Sequence, residues 1–169
     1  MIPARWRPMN PADIAAVDAI AAAIHMALPE QAFVFAERQR LYPDGCFILE
    51  MDGDPAGYVI SHPWYYLRPP SLNVLVERIP DDASTYYIHD LALLRRARRT
   101  GAGSAIVRTL VAHAHAAGLP NLSLIAVYDA AAFWRGHGFQ RVDDPALTRQ
   151  LAGYGAEASM MVRPLQKQP

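Results

Sequence analysis

The pattern of apolar and polar positions predicts a chain that mixes helices with strands. Apolar residues recur every three to four positions through Pro11–Leu28 and again through Ala105–Ala117, as on the buried face of an amphipathic helix. Glu30–Tyr42 is predicted to be a further helix, and Ala130–His137 a short one. Compact apolar runs predict strands at Ala4–Met9, Gly45–Met51, Ala56–Trp64, Tyr86–Leu94, Leu122–Val127, Phe139–Val142 and about Ala156–Val162.

Residues that break regular structure separate these elements. Pro29 divides the first two helices, and Asp52-Gly53 between two apolar runs predicts a β-hairpin. Tyr65–Ala83 is long and irregular, and a loop of this length is often functional or simply mobile. The last segment, Arg163–Pro169, is predicted to be a tail.

The join between the central strand and the long helix is rich in arginine and glycine. Arg95–Thr100 is strongly basic, and Gly101-Ala102-Gly103-Ser104 opens the helix. N–H groups in the first turn of a helix lack intrahelical partners and carry a partial positive charge, and glycines let the backbone come close to a ligand. Together these features predict a phosphate site, although the segment contains neither GxxxxGK[ST] nor GxGxxG.

Two motifs in this part of the chain resemble those of one protein family. Arg98-x-x-Gly101-x-Gly103 resembles the acetyl-CoA pyrophosphate loop of the GNAT superfamily of N-acetyltransferases, and Leu91-Ala92-Leu93 is similar to that family's L-A-V strand ending. Downstream, Ala130-x-x-Phe133-Trp134-x-x-x-Gly138-Phe139 resembles the family's A-x-x-F-Y-x-x-x-G-F signature. The N-terminal part of the chain matches the family in layout only.

The resemblance implies a mixed α/β (α+β) fold. Its mostly antiparallel central sheet would splay at the acetyl-CoA site and carry helices on both faces. The resemblance also implies acetyl-CoA (coenzyme A) as cofactor, with pantetheine along the strand end, the pyrophosphate on the loop and the second motif near the thiol. The cofactor-binding residues expected from it are Leu93, Leu94, Arg98, Arg99, Thr100, Gly101, Ala102, Gly103, Ser104 and Trp134.

A histidine on the central strand is the expected base. The attacking amine must be neutral, and a histidine, which titrates near about pH 6.5, suits that proton transfer. The run Tyr87–Leu93 resembles the H-x-H-x-L-A-V strand of the arylalkylamine acetyltransferases, with His89 at the second histidine. Strand alternation places His89 on one face with Tyr87 and Leu91, and Asp90 on the other with Tyr86, Ile88 and Ala92.

Asp90 is a second catalytic candidate, able to orient a partner or to contact substrate if the strand bulges. His89 could also be a core residue bonded to a neighbour.

The acid for the leaving thiol is harder to find, because Trp134 stands where the family has a Tyr, and an indole N–H is not a usable acid. Tyr128 and Tyr154 are the candidates, unless the thiolate leaves unprotonated or both are ordinary surface or packing residues.

Composition narrows the function classes. The 169 residues include 16 basic and 16 acidic side chains, and the resulting zero net charge argues against a general nucleic-acid or membrane-surface binder. A single cysteine fits a reducing compartment, and the chain shows neither a signal peptide nor an apolar run of about 18 residues. We expect one cytoplasmic domain over residues 1–169. No metal site is predicted. The scattered histidines His25, His62 and His137 are assigned no role.

The function implied by the resemblance is acetyl transfer from acetyl-CoA to a primary amine of a small molecule, by direct attack. A backbone N–H at the Leu93–Leu94 strand end would polarise the thioester carbonyl. Acetylation of a protein or peptide amine is an alternative, which would need the loop Tyr65–Ala83 to lie aside. A CoA-binding regulatory domain that has lost catalysis is another, favoured by Trp134. Homodimers are common in the family.

Overall fold

The structure is a computed structural model that describes residues 3–167. One seven-stranded sheet has the order β1-β2-β3-β4-β5-β7-β6. Only β4 and β5 pair in parallel, and the other neighbouring strands are antiparallel. The strands are β1 (Ala4–Pro8), β2 (Cys46–Met51), β3 (Asp54–Trp64), β4 (Thr85–Leu93), β5 (Asn121–Ala126), β6 (Gln140–Arg141) and β7 (Ser159–Pro164).

Helices cover both faces of this sheet. They are α1 (Ile14–Ile24), α2 (Ala32–Leu41), α3 (Ala102–Ala116), α4 (Ala131–Gly136) and α5 (Thr148–Ala152). Val17 of α1 and Phe35 of α2 pack on one face against Tyr58 and Ile60 of β3. Ile106 and Leu110 of α3, with Trp134 of α4, pack on the opposite face against Val59 and Ile88. The predicted fold class, a mostly antiparallel sheet between layers of helices, is confirmed.

Several element boundaries differ from the prediction. The first helix ends at Ile24 instead of Leu28, so His25 to Leu28 form the turn that leads into the second helical region. The residues Arg163 and Pro164, predicted to belong to a tail, extend β7, whose partner there is β5. The last two residues of that predicted tail lie outside the described chain. Helix α5 was not predicted, because its five residues are too few to show a helical period.

The sheet opens between its two parallel strands. The ladder of β4 and β5 joins only Tyr86–Ile88 to Leu122–Leu124. Beyond Ile88 no pairing with β5 holds the second half of β4, although β3 continues to pair with it as far as Leu93. The predicted splay is therefore present, and it leaves one edge of β4 facing a gap.

A β-bulge interrupts β4 at the start of this gap. Ile60 of β3 lies opposite Asp90, but the next residue, Ser61, lies opposite Ile88, so His89 is one extra residue on β4. A bulge shifts the alternation of side chains along a strand. The predicted faces are therefore wrong: Leu91 packs with the α3 cluster beside Ile88, whereas His89 and Asp90 both contact residues near α1.

No helix within residues 3–167 is long and apolar enough to cross a membrane.

Candidate active site

The arginine- and glycine-rich loop has the backbone geometry of an anion site. It passes through left-handed conformations at Arg99 (φ 61°) and Gly101 (φ 85°), and α3 starts at the next residue. The Thr100 hydroxyl donates to the Ala97 carbonyl (2.7 Å) and accepts from the Ala102 N–H (3.3 Å), which fixes the turn. The first turn of α3 therefore presents backbone N–H groups at the carboxyl end of β4.

Gly103 packs closely against its neighbours at this helix start. A Cβ atom at this position would lie 3.2 Å from the Phe133 ring of α4 and 3.6 Å from Leu93 of β4. Nothing larger than glycine fits without displacing the neighbours. Gly101, in contrast, has open space around it and is needed for its positive φ. The two glycines thus serve different purposes in one loop.

The arginines of the loop differ in their contacts. Arg96 donates to the Pro55 carbonyl at 2.8 Å and so ties the loop to β3, while Arg98 Nε donates to the Leu93 carbonyl at 3.3 Å. Ser104, on the first turn of α3, lies 3.3 Å from His137 Nε2 through its hydroxyl. Arg98 and Ser104 thus lie just before and just after the start of α3, and their expected roles in binding the pyrophosphate stay predictions.

One backbone donor at the strand end is already used. The Leu94 N–H donates to the Ala56 carbonyl at 2.8 Å, so it is not available to polarise a thioester. Successive residues of a strand direct their N–H groups to opposite neighbours, and that of Leu93 consequently points away from β3 and towards the gap. Of the two backbone N–H groups predicted as donors at Leu93–Leu94, that of Leu93 is therefore the one left for a ligand.

A cavity of ≈ 90 Å³ occupies the gap between β4 and β5. Five of its lining residues are polar, namely His25, Glu30, His89, Asp90 and Tyr154, and we call this part of the wall its polar end. The remaining lining residues are apolar: Leu28, Leu72, Ile88, Leu91, Leu124, Ile125, Val127, Ala130 and Trp134. The Trp134 ring is held against Phe133 and Phe139, with ring centroids 5.0 Å and 5.2 Å away.

His89 pairs with Glu30 at the polar end of the cavity. Nε2 of His89 lies 2.8 Å from Oε1 of Glu30, and the side chains are only 1% and 5% exposed. Burial alone would raise the pKa of Glu30, but the charge and hydrogen bond of His89 and the Asn73 N–H lower it on balance. Nδ1 of His89 is buried and has no hydrogen-bond partner among residues 3–167.

Asp90 forms a second pair beside the first. Its Oδ1 lies 2.8 Å from Nε2 of His25, and its Oδ2 accepts a hydrogen bond from the Tyr58 hydroxyl. Burial alone would lower the pKa of His25, but the hydrogen bond and charge of Asp90, together with the charge of Glu30, raise it on balance. The bulge in β4 brings the two pairs into one cavity, because it directs adjacent residues, His89 and Asp90, to the same side.

The two tyrosines predicted as acids occupy different surroundings. Tyr128 is 40% exposed and stacks on His25, with ring centroids 6.0 Å apart and an angle of 10°. Tyr154 is buried and lines the cavity, but its hydroxyl donates to the Pro70 carbonyl at 2.6 Å. Burial raises the pKa of both phenols, and the negative charge of Asp90 raises these pKa values further. Their catalytic roles stay predictions.

The long loop is fastened over the polar end of the cavity. The Asn73 N–H donates to Oε2 of Glu30 at 2.8 Å, and the N–H groups of Val76 and Glu77 donate to the Glu37 carboxylate at 2.7 and 3.0 Å. Leu72, from the same loop, forms part of the cavity wall. The loop thus covers the polar end.

The sequence alone did not identify His25 and Glu30. His25 was assigned no site, and the structure corrects this, because it contacts Asp90 and lines the cavity. Both residues lie in the turn between α1 and α2, separated from their partners by 65 and 59 positions. No local spacing reports such contacts, although two ionisable side chains on either side of Pro29, which was predicted to divide two helices, were a usable signal.

The chain matches the model of the Acetyltransferase (GNAT) family over residues 15–139. No curated protein sequence gives a significant match. Among solved structures, Ard1 from Thermoplasma volcanium has 18% identity and a TM-score of 0.72, with 97% of this chain and 99% of that chain covered. The GphF GNAT-like decarboxylase in complex with isobutyryl-CoA has 16% identity and a TM-score of 0.79, covering 96% and 100%.

A third similar structure is Arabidopsis thaliana Naa50 in complex with the bisubstrate analogue CoA-Ac-MVNAL. It has 10% identity and a TM-score of 0.70, with 96% of this chain and 99% of that chain covered. At these identities the comparison supports a similar fold and nothing more. In this chain, that fold includes the parallel strands β4 and β5, between which the cavity lies.

Proposed function

Because the chain belongs to the GNAT family of acetyltransferases, we propose that it transfers an acetyl group from acetyl-CoA to a primary amine of a small molecule. The observation that carries this proposal is the cavity at the gap between β4 and β5, whose lining combines apolar side chains with two histidine–carboxylate pairs. Such a lining suits an uncharged acyl group next to a basic amine.

Acetyl-CoA supplies the acyl group as an activated thioester. The N–H groups at the start of α3 would bind its pyrophosphate, and the free edge of β4 up to Leu93 would pair with the pantetheine amides. The Leu93 N–H is the donor left to stabilise negative charge that develops on a carbonyl oxygen at the gap. These residues position the donor, and no covalent bond to the protein is required.

His89 is the base in this proposal. Glu30 holds Nε2 of its ring, so whenever the ring has lost its positive charge the remaining proton stays on Nε2 and a lone pair lies on Nδ1. The buried Nδ1 has no partner within residues 3–167, and an unsatisfied buried acceptor is costly unless a ligand completes it. A substrate ammonium would complete it by donating a hydrogen bond to Nδ1 and then losing that proton.

A small acceptor fits the cavity better than a peptide does. The loop that contains Leu72 and Asn73 covers the polar end and is tied to Glu30, and the cavity of ≈ 90 Å³ has room for a few non-hydrogen atoms. A peptide would require this loop to move away. Naa50 was solved with a peptide-containing analogue, so peptide amines remain the alternative.

Free-thiol release tests the proposal. The purified protein is incubated with acetyl-CoA and panels of small amines, amino acids and short peptides, and the N-acetyl product is identified by mass spectrometry. We expect release of CoA to require a small primary amine. Turnover with peptides alone would replace the small-molecule proposal by the alternative, and binding of acetyl-CoA without turnover on any panel would favour a regulatory CoA-binding domain.

A further inference from the structure

The cavity contains one histidine–carboxylate pair more than the proposed base requires. His89 and Glu30 account for removal of the amine proton. His25 and Asp90 form a separate pair at 2.8 Å, and both residues line the same cavity. The proposed reaction needs a second proton transfer, to the departing sulfur, and Trp134 offers no acid for it.

We propose that His25 donates the proton to the sulfur that leaves, with Asp90 and Tyr58 positioning its ring. This inference rests on the proposed function. Because Nε2 of His25 is bonded to Asp90, Nδ1 is the nitrogen that can exchange a proton with a ligand. His25 would be the catalytic acid, and Asp90 and Tyr58 would act through it.

The other candidates fit this task less well. The Tyr154 hydroxyl is used by the Pro70 carbonyl, so it would have to break a buried hydrogen bond to donate elsewhere. Tyr128 lies outside the residues that line the cavity, and it contacts His25 through its ring face, not through its hydroxyl. His25 lines the same cavity as Trp134, which belongs to the motif expected from the family resemblance to lie near the thiol.

The charges around His25 favour its protonated form. Asp90 on β4 faces it directly, and Glu30 in the turn after α1 adds a second negative charge. Tyr128 after β5 and Tyr58 on β3 are neutral phenols, because burial raises the pKa of both. The pKa of His25 is accordingly raised, as an acid that must hold its proton near neutral pH requires.

The proton balance of the reaction closes with these two residues. Acetyl transfer forms one C–N bond and breaks one C–S bond. Starting from an ammonium, the nitrogen loses one proton before it attacks and a second after the C–N bond has formed, and the sulfur gains one. His89 takes up the first proton at Nδ1, passes it to solvent and then takes up the second, while His25 gives one proton from Nδ1 to the sulfur. Exchange with solvent restores both rings with net release of one proton, and no oxidant or further reactant is needed.

The ionisation of bound CoA tests the placement of His25 without relying on turnover. CoA itself, with a free thiol, is titrated into wild-type protein and into His25→Gln, and thiolate formation is followed by ultraviolet absorbance as a function of pH. Glutamine keeps a nitrogen donor for Asp90 but carries no titratable proton. A nearby imidazolium lowers the pKa of a thiol, so the bound thiol should ionise at lower pH in wild type than in the variant.

Turnover provides the second measurement. His25→Gln should slow turnover by about 10²-fold or more, within the range typical of general acid catalysis, and should remove the fall in kcat at high pH that reflects loss of the His25 proton. His115→Gln, on the far side of α3 and outside this cavity, is the matched control and should behave like wild type.

The outcomes separate this inference from the proposed function. Failure of CoA to bind would overturn both. If CoA binds and its thiol ionises identically in wild type and His25→Gln, His25 is not beside the sulfur and the inference is wrong, whatever the amine screen shows. An unchanged pH profile of kcat in the variant would contradict it equally.

Discussion

Nε2 of His25 lies 2.8 Å from Oδ1 of Asp90, although the two residues are 65 positions apart in the sequence. The contact depends on two local features. Helix α1 ends at Ile24, which places His25 in the turn beyond it, and the bulge in β4 directs Asp90 to the same side as His89. A helix end and a strand irregularity thus assemble the polar end of the cavity.

The His25–Asp90 pair predicts a pH-dependent stability. The pKa of His25 is raised in the folded protein from its ordinary value of 6.5, so the pair stabilises the fold fully below that pH. This stabilisation is lost as the pH rises through the higher folded pKa. The difference in Tm between wild type and His25→Gln should therefore be largest in mild acid and shrink at alkaline pH. A difference that grows with pH would contradict the pairing.

Glu30 predicts the opposite dependence. Its pKa is lowered from 4.5 in the folded protein, so its stabilisation is present above that pH and is lost as the pH falls through the folded pKa. Glu30→Gln should lower Tm near neutral pH and have a smaller effect in strong acid. Glu157→Gln, an exposed substitution, is the control, and equal effects of the two variants at neutral pH would argue against the contacts of Glu30 with His89 and Asn73.

His89→Gln tests the proposed base. The variant should lower catalytic efficiency, kcat/KM, by about 10²-fold or more near neutral pH, and the loss should diminish at high pH, where the amine is neutral without help. Affinity for acetyl-CoA should hardly change, because the side chain lies outside the phosphate loop. Wild-type activity across the pH range on a confirmed substrate would move the role to Asp90 or to ordered water.

Tyr154→Phe distinguishes an acid from a residue that holds the loop. The substitution leaves the Pro70 carbonyl without its buried donor, at a cost of about 1–3 kcal/mol, which corresponds to a fall in Tm of several degrees in a chain of this size. If the hydroxyl only holds the loop, KM for the amine should rise while turnover stays within about twofold of wild type. Turnover that is slower by about 10²-fold or more, with KM unchanged, would instead support Tyr154 as an acid.

The sequence predicted the turn between β4 and α3 better than the contacts at the polar end of the cavity. Gly101 and Gly103 belong to a short motif whose residues are adjacent in space because they are adjacent in the chain, and the splay of the sheet was expected from the resemblance to the family. The partners of His89 and Asp90 come from a distant turn, so their contacts depend on packing. Alternation also failed at His89, since one inserted residue reverses the faces of a strand.

Calorimetric titration of acetyl-CoA into three proteins, with Tm followed as ligand is added, tests most directly the central claim that the arginine- and glycine-rich loop binds acetyl-CoA. Wild type should bind and gain Tm with increasing ligand. Gly103→Val should remain folded but lose binding, because its side chain would meet Phe133 and obstruct the N–H groups of α3. Gly136→Ala, whose Cβ has open space, should bind like wild type. Absence of binding by wild type, or full binding by Gly103→Val, would contradict the proposed function at its foundation.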